Sequence, residues 1–348
     1  MDIQNHIGWD IGGAHLKVAC VNNLGKLEYV EQFATPLWQG LQQLEDSFPV
    51  ILNKLPVGTQ SHCLTMTAEL VDIFTSRQEG ISSLINLCEN KLGKNINLYA
   101  SEHGFVNSNS VIERINDIAS ANWHASATFT ANKIGNGLFI DIGSTTTDII
   151  PLVNRAVVNR GDDDQSRMHF DELVYTGVIR TPLMALSSRV PFNGNWQTVA
   201  AEYFSTTADI YRILGLIDVE DDQMATADGK GKDIESSIRR LARMLGTDVI
   251  STKEKNNWIQ VANYFSEIQL QNLTNSILGI FSYAPEAREQ IIGAGVGSFL
   301  IKIIAERLNI PYMDFSELFD SQTKLQHKCN VCAPAISLAL LHQQSVSR

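Results

Sequence analysis

The sequence predicts an α/β protein of two related halves that face each other across a cleft. Three observations predict it. The chain has 348 residues, more than one ordinary hydrophobic core serves, so two domains are expected. A strand-turn-strand unit occurs twice, as Asp10-Ile-Gly12-Gly13-Ala-His15-Leu-Lys17-Val18 and as Asp141-Ile-Gly143-Ser144-Thr145-Thr146-Thr147-Asp148-Ile149. Each copy opens a domain-sized half, as an internal repeat of one fold does. A third glycine-rich turn, Ile291-Ile-Gly293-Ala-Gly295-Val-Gly297-Ser298, lies late in the chain between an apolar strand and a helix.

The elements follow in order. Apolar runs predict strands over 5–11, 16–22 and 27–34. Helical spacing over 41–55 stops at Pro56-Val-Gly58. A short strand over 63–67 runs into Ala68-Glu69. Residues 81–92 have helical spacing and end on Gly93. A strand at 96–100 and a helix over 111–131, broken near Asn122-Trp123, complete the first half. The second half begins at Gly137, with strands at 138–142, 147–153 and 156–158, an acidic turn at 161–165 and a strand at 170–175. Residues 198–279 are largely helical, interrupted by a polar, mobile surface loop over 220–232. A strand at 290–293, the third glycine turn, a helix to 308 and a closing helix over 334–342 finish the chain.

Composition narrows the function. Hydrophobic residues are 44% and charged residues 19% of the chain, and the net charge is −11. An acidic chain without a block of Lys or Arg argues against a nucleic-acid partner. No apolar run reaches the roughly 18 residues of a membrane span. The first residues lack a basic and apolar leader pattern, so a cytoplasmic protein is expected. The odd count of five cysteines does not suggest a disulfide framework. Cys329-x-x-Cys332, with His327, reads either as a metal or redox pair or as two small residues at a helix start. No second ligand cluster is visible, which favours packing. The stripe Trp258, Ile259, Ala262, Phe265 is read as core.

The repeated turns suit phosphate chemistry. A phosphate approaches backbone N–H groups only where no Cβ intervenes, which Gly12, Gly13 and Gly143 allow. Ser144, Thr145 and Thr146 add hydroxyl groups. Asp10 and Asp141, at strand ends, can hold a hydrated divalent cation such as Mg²⁺ beside the phosphates. Lys17, seven positions after Asp10, can reach the same phosphates. Gly293, Gly295 and Gly297 would let a nucleoside or another flat ring lie on the backbone, with a helix N-terminus behind it. A dinucleotide-binding reading of that loop, with Asp314 as the ribose ligand, is disfavoured: too little chain follows, and Ser298 stands where Gly or Ala belongs.

The order phosphate loop, phosphate loop, glycine-rich adenosine loop resembles that of the acetate and sugar kinase/heat-shock cognate/actin superfamily over nearly the whole chain. The first loop, with Lys17 at this offset from Asp10, is similar to the actin version. The resemblance implies two ribonuclease-H-like domains around a cleft, the actin-like ATPase fold. Residues 1–133 and 329–348 would form the first domain, to which the last helix returns. Residues 134–328 would form the second, with a helical insertion. Asp141-Ile-Gly-Ser-Thr-Thr-Thr-Asp-Ile-Ile-Pro151 resembles the hydantoinase/oxoprolinase branch. Glu172-Leu-Val-Tyr-Thr-Gly-Val-Ile-Arg-Thr-Pro182 resembles the family of tetrahydromethanopterin-linked C1-transfer proteins, as do Thr65-Met-Thr-Ala-Glu69 and Ser120-Ala-Asn-Trp123.

Archaeal members of that family are methanofuran-biosynthesis synthases. They join an aminomethylfuran-methyl diphosphate to the phenol of a tyramine-glutamate, with loss of diphosphate. The family also has bacterial members in methylotrophs, linked to formaldehyde oxidation. The resemblance implies a diphosphate-releasing transferase with small-molecule substrates. Two further readings stay open, an ATP-dependent kinase or hydantoinase/oxoprolinase-like hydrolase, and a nucleotide-switched interaction protein. ATP binding is open with them.

The ether chemistry assigns candidate roles. Loss of diphosphate needs its charge neutralised, by a metal at Asp10 and Asp141 and by Lys17. A phenol, with a reference pKa of about 10, is helped by a base, and Glu69 and Asp148 are the candidates. Arg160, Asp171, Tyr175 and Arg180 flank the second half and can take an amine or a glutamyl carboxylate. Each has a plainer reading: Glu69 at a helix N-terminus, the arginines in surface ion pairs, Tyr175 in the core. His15 alternates with Lys17 and either faces the cleft or is structural.

Overall fold

The computed structural model describes residues 4–108, 112–249, 255–320 and 325–346. The first sheet contains β1 (Gln4–Ile11), β2 (His15–Val21), β3 (Leu27–Ala34), β4 (Thr59–Met66), β5 (Ile96–Tyr99) and β6 (Phe105–Asn107), in the order β3-β2-β1-β4-β5-β6. The first three strands are antiparallel neighbours, then β4 and β5 add in parallel. Helices α1 (Gln42–Leu52) and α2 (Arg77–Leu92) make the two crossovers. The strand period of two sends Ile7, Trp9 and Ile11 of β1 and Leu16, Val18 and Cys20 of β2 to one face. There they form one core cluster with Phe48 of α1 and Leu84 of α2. The same period places Gly8, Asp10, Lys17 and Ala19 on the other face.

Helices α3 (Ile115–Ile118) and α4 (Asn122–Lys133) lead to the second sheet, with the break between them at 119–121. The expected start of that helix at residue 111 lies outside the described residues. The second sheet contains β7 (Gly137–Ile142), β8 (Thr147–Val153), the two-residue β9 (Ala156–Val157), β10 (Leu173–Val174), β13 (Ile291–Ala294) and β14 (Tyr312–Asp314). Its order is β10-β8-β7-β13-β14, with β9 on β8. Here too an antiparallel hairpin carries two parallel strands on its first member. Over five strands the two sheets therefore share one order and one set of directions, the ribonuclease-H-like pattern twice over, and β6, antiparallel to β5, extends the first sheet alone.

Helix α5 (Asp164–His169) lies between β9 and β10. It occupies the place of the expected acidic turn, because Asp163 and Ser166 form a capping box. It also shortens the expected strand at 170–175. The insertion between β10 and β13 consists of the hairpin β11–β12 (Arg189–Phe192, Asn195–Thr198) and helices α6 (Thr207–Leu214), α7 (Ile234–Met244) and α8 (Lys255–Tyr283). The hairpin was not expected from sequence. The polar loop over 220–232 is anchored, not free. Arg212 binds Asp209 at 3.0 Å and also Asp222, and Arg240 binds Asp209 at 2.7 Å and Asp228 at 3.0 Å. Both arginines are buried, so losing either partner would strand a charge in the core.

After α9 (Ser298–Leu308) and α10 (Gln326–Val331), helix α11 (Ala333–Val346) returns to the first sheet and packs on β1, β2 and β4. Gly8 sets the closeness of that contact, since a Cβ there would stand 2.0 Å from the carbonyl oxygen of Ala335. Ile336, Leu338 and Leu340 are buried, each worth about 1.5–3 kcal/mol of transferred apolar surface. Cys329 and Cys332 are buried at the start of this region, and burial pushes the Cys332 thiol up to about 12. No helix of the described residues is long and apolar enough to cross a membrane.

Candidate active site

The two hairpin turns close on one cavity of about 330 Å³ between the sheets. They are built alike. Gly12 N–H donates to the His15 carbonyl and Gly143 N–H to the Thr146 carbonyl, both at 2.9 Å. The hairpins thus consume two of the N–H groups that sequence reasoning reserved for phosphate. Those of Gly13 and Ala14 in one turn, and Ser144 and Thr145 in the other, have no partner among the described residues. The turn carbonyls are tied back by the chain that follows. Leu37 N–H bonds Gly13 O and Thr35 N–H bonds Ala14 O. Val178 N–H bonds Gly143 O, and the N–H groups of Ile179 and Arg180 bond Ser144 O. Gly177 permits this second strap, since a Cβ on it would lie 2.5 Å from Thr145 N.

Charge is concentrated where the hairpins meet. Asp10 and Lys17 are register partners, with Lys17 Nζ 3.7 Å from Asp10 Oδ2. Asp141 and Asp148 hold the same register in the second hairpin, so the repeat carries a lysine in one copy and a carboxylate in the other. Burial opposes the charge of Lys17, yet Asp10 and Asp141 outweigh it and hold its pKa above the ordinary value. Burial pushes Asp141 up to about 7, with Lys17 working against the rise and Asp148 and Asp10 adding to it. Asp10 is likewise raised by burial despite Lys17, and its Oδ1 is buried without a hydrogen-bond partner. His15 also lines the cavity. Burial, with Lys17 and Arg180 nearby, lowers it to about 3, so the ring is neutral.

Arg167, which sequence reasoning missed, lies at the centre of the cavity wall. It is 2% exposed. Its Nη2 donates to Asp148 Oδ1 at 2.6 Å and to the Glu172 carbonyl at 3.2 Å, and its guanidinium lies 4.0 Å over the Trp123 ring. Helix α5 presents it, and the signal for that helix was the Asp163-x-x-Ser166 capping box. Arg180 and Tyr175 line the mouth, both exposed. Arg180 lies 5.1 Å over Trp38 and donates to Thr145 Oγ1 at 3.4 Å. Thr146 lines the same cavity.

Other expected residues lie elsewhere. Arg160 stacks on Phe170 at 4.0 Å and Tyr283 at 5.0 Å, outside the cavity lining. Asp171 is exposed in the turn before β10, with φ 59°, and does not line it either. Gly293, Gly295 and Gly297 are buried against the protein itself. A Cβ on each would meet Tyr312 Oη at 2.6 Å, Ile142 O at 2.2 Å and Ile142 Cγ2 at 2.4 Å. Those glycines let β13 and the start of α9 close on β7 and β14, and none of the three is among the residues that line the cavity.

Glu69 is fully buried beneath the cleft and not in its wall. Ser120 Oγ, which does line the cleft, donates to Glu69 Oε1 at 2.9 Å. Burial pushes Glu69 from 4.5 to about 7, against hydrogen bonds from its own backbone and Ser120. In the folded state it therefore keeps its proton to a higher pH than in the unfolded chain. Its stabilising contribution is full below pH 4.5 and is lost as pH rises through about 7. Between pH 5 and pH 8 this group should account for a loss of about 2.5 kcal/mol. Glu69→Gln should flatten that slope in urea unfolding at the two pH values. Equal slopes in the two proteins would show that Glu69 is ionised in the fold.

Two like sheets whose hairpin turns meet in one acidic cleft define a protein of the actin-like ATPase fold. The hydantoinase/oxoprolinase family model matches residues 60–319, three-quarters of the sequence, and the chain belongs to that family. It is 29% identical over 343 residues, 98% of either chain, to the (4-{4-[2-(gamma-L-glutamylamino)ethyl]phenoxymethyl}furan-2-yl)methanamine synthase of Methanocaldococcus jannaschii. It is 39% identical over 135 residues to the synthase of the same name from Methanococcus vannielii, covering 38% of this chain and 60% of that one. Among solved structures it is similar to a ROK family glucokinase from Streptomyces griseus, with TM-score 0.49 and 13% identity over 96% of this chain and 98% of that one.

Proposed function

We propose that this protein is an ether-forming synthase of methanofuran-type cofactor biosynthesis. It would transfer a furylmethyl group from its diphosphate to the phenol of a tyramine- or tyrosine-derived acceptor. The observation that carries this reading is the full-length similarity to a synthase whose name describes a phenoxymethyl-furan product. The bond from the furylmethyl carbon to the diphosphate oxygen breaks, and a bond from that carbon to the phenolic oxygen forms. The phenolic proton passes to a base.

The cleft has groups for each part. Lys17, Arg167 and Arg180 face Asp10, Asp141, Asp148 and Asp164 in the cavity wall. Four carboxylates already exceed three cations, so an entering diphosphate calls for added positive charge. The buried, unpartnered Asp10 Oδ1 suits a cation held by one or two carboxylates and phosphate oxygens, the habit of Mg²⁺. Asp10 and Asp141 would hold it, and when bound it would neutralise the leaving diphosphate. Lys17, the four open N–H groups and the hydroxyls of Ser144 and Thr145 orient the phosphates. Arg167 fixes Asp148 through Oδ1, and Oδ2, without a partner among the described residues, can take the phenolic proton. Glu69 is linked to the cleft by its hydrogen bond from Ser120. Tyr175 and Trp38 offer aromatic surface at the mouth for the rings.

The reading is tested by incubating the protein with a furylmethyl diphosphate and a tyramine-derived phenol. Ether and free diphosphate should appear with magnesium and without nucleotide. Diphosphate only in the presence of ATP, or ATP hydrolysis stimulated by the phenol, would transfer the protein to the kinase or hydrolase class.

A further inference from the structure

Ser120 stands in the break between α3 and α4 with φ 49°, the left-handed region that serine rarely occupies. It follows an extended Ala119 and precedes Ala121, from which α4 starts. A residue other than glycine held there marks backbone that its surroundings force, and such residues gather at active sites. The residue is 9% exposed, and it lines the cleft.

The hydroxyl of Ser120 connects that cleft to a buried carboxylate. Its Oγ donates to Glu69 Oε1 at 2.9 Å. Glu69 is 0% exposed, and its Oε2 is buried without a hydrogen-bond partner. Arg77, the cation that faces it, is paired with Asp164 at 2.8 Å. A carboxylate so placed gains by taking a proton, because the neutral form is the one that burial favours. Burial pushes it up to about 7, with Arg77 lowering and Asp164 raising it, so its ionised form is a stronger base than an ordinary carboxylate. The other acceptors in the wall are held by cations. Asp164 Oδ2 is 3.5 Å from the Ser120 hydroxyl and holds Arg77. Asp148 holds Arg167 at 2.6 Å and would weaken that pair on protonation.

We propose that Ser120 is a catalytic residue that takes the proton of the acceptor phenol and passes its own to Glu69. The inference rests on the ether-forming reading of the cleft. The phenolic O–H bond breaks as its proton joins Ser120 Oγ, and the Ser120 proton moves to Glu69 Oε1. The electron pair left on the phenolic oxygen forms the bond to the furylmethyl carbon, and the pair of the broken carbon–oxygen bond leaves with the diphosphate. Glu69 ends neutral and returns the proton by the reverse route once the products leave.

Diphosphate release is followed at about pH 8 with two acceptors, a tyramine-derived phenol, whose reference pKa of about 10 keeps it protonated, and its ring-polyfluorinated analogue, which enters as the phenolate. Relative to wild type, Ser120→Ala and Glu69→Gln should each lose about 100-fold or more in kcat with the first acceptor and less than about fivefold with the second. Asp148→Asn should lose as much with one acceptor as with the other. Both acceptors are compared on one preparation, so a variant that folds poorly still reports the ratio. Equal losses with the two acceptors in Ser120→Ala or Glu69→Gln, no loss in either variant, or recovery by the fluorinated phenol in Asp148→Asn alone overturns the inference and leaves the ether-forming reading intact. Wild-type protein that releases no diphosphate with either acceptor removes that reading, and the inference with it.

Discussion

Asp141→Asn should lower turnover by about 10³-fold while leaving the melting temperature unchanged or higher. Asp141 ends β7 inside the cleft, where burial pushes it up and Asp148 and Asp10 add to the rise. A neutral side chain of the same shape removes a charge that the fold already disfavours. Asparagine cannot replace a carboxylate that holds a cation next to a leaving diphosphate. Thermal unfolding and diphosphate release on the same preparation separate the two effects. A melting temperature lowered by more than about 5 °C, with activity lost in proportion, would make Asp141 a residue of folding and not of chemistry.

Arg167→Ala should be the most destabilising single change in the cleft, by about 3–5 kcal/mol. It removes the cation held to Asp148 at 2.6 Å and the plane stacked on Trp123 at 4.0 Å, and it leaves the carboxylate without its partner. The urea midpoint should fall with an unchanged m-value. Adding Asp148→Asn should recover part of the loss, because no orphaned charge then remains. A double variant no more stable than Arg167→Ala would assign the effect to the stack on Trp123 and not to the ion pair.

Much of this site was legible in the sequence because the hairpin turn repeats. Asp10 and Asp141 end matched strands, and matched strands reach the same place in matched sheets. The parts that were not legible have physical causes. Glycine marks any close approach, of ligand or of chain, and at Gly293, Gly295 and Gly297 the approaching group is β7, β14 or a neighbouring side chain. Arg160 and Asp171 lie in the right stretch of chain, but the left-handed turn at Asp171 and the stacking of Arg160 on Phe170 direct them away from the cavity. Glu69 was expected to face the cleft. Gly80 lets α2 close on the Glu69 backbone, with a Cβ position 2.5 Å from Glu69 O, and the carboxylate ends beneath Ser120. Arg167 escaped notice because a helix of six residues shows too little periodicity to stand out.

The seating of α11 on β1 has a consequence for how the chain is made. His6 of β1 and His342 of α11, hydrogen-bonded at 2.9 Å, are 336 positions apart. At ribosomal rates of about 5–20 residues per second, roughly 20–70 s pass between the emergence of one and of the other. For that time the face of β1 carrying Gly8 has no helix to lie against, although α1 and α2 can already cover its other face. That face of β1 therefore waits for a helix made after the whole second sheet. A stop in translation before α11 is made would release a chain with an uncovered sheet face, a substrate for chaperones and for aggregation.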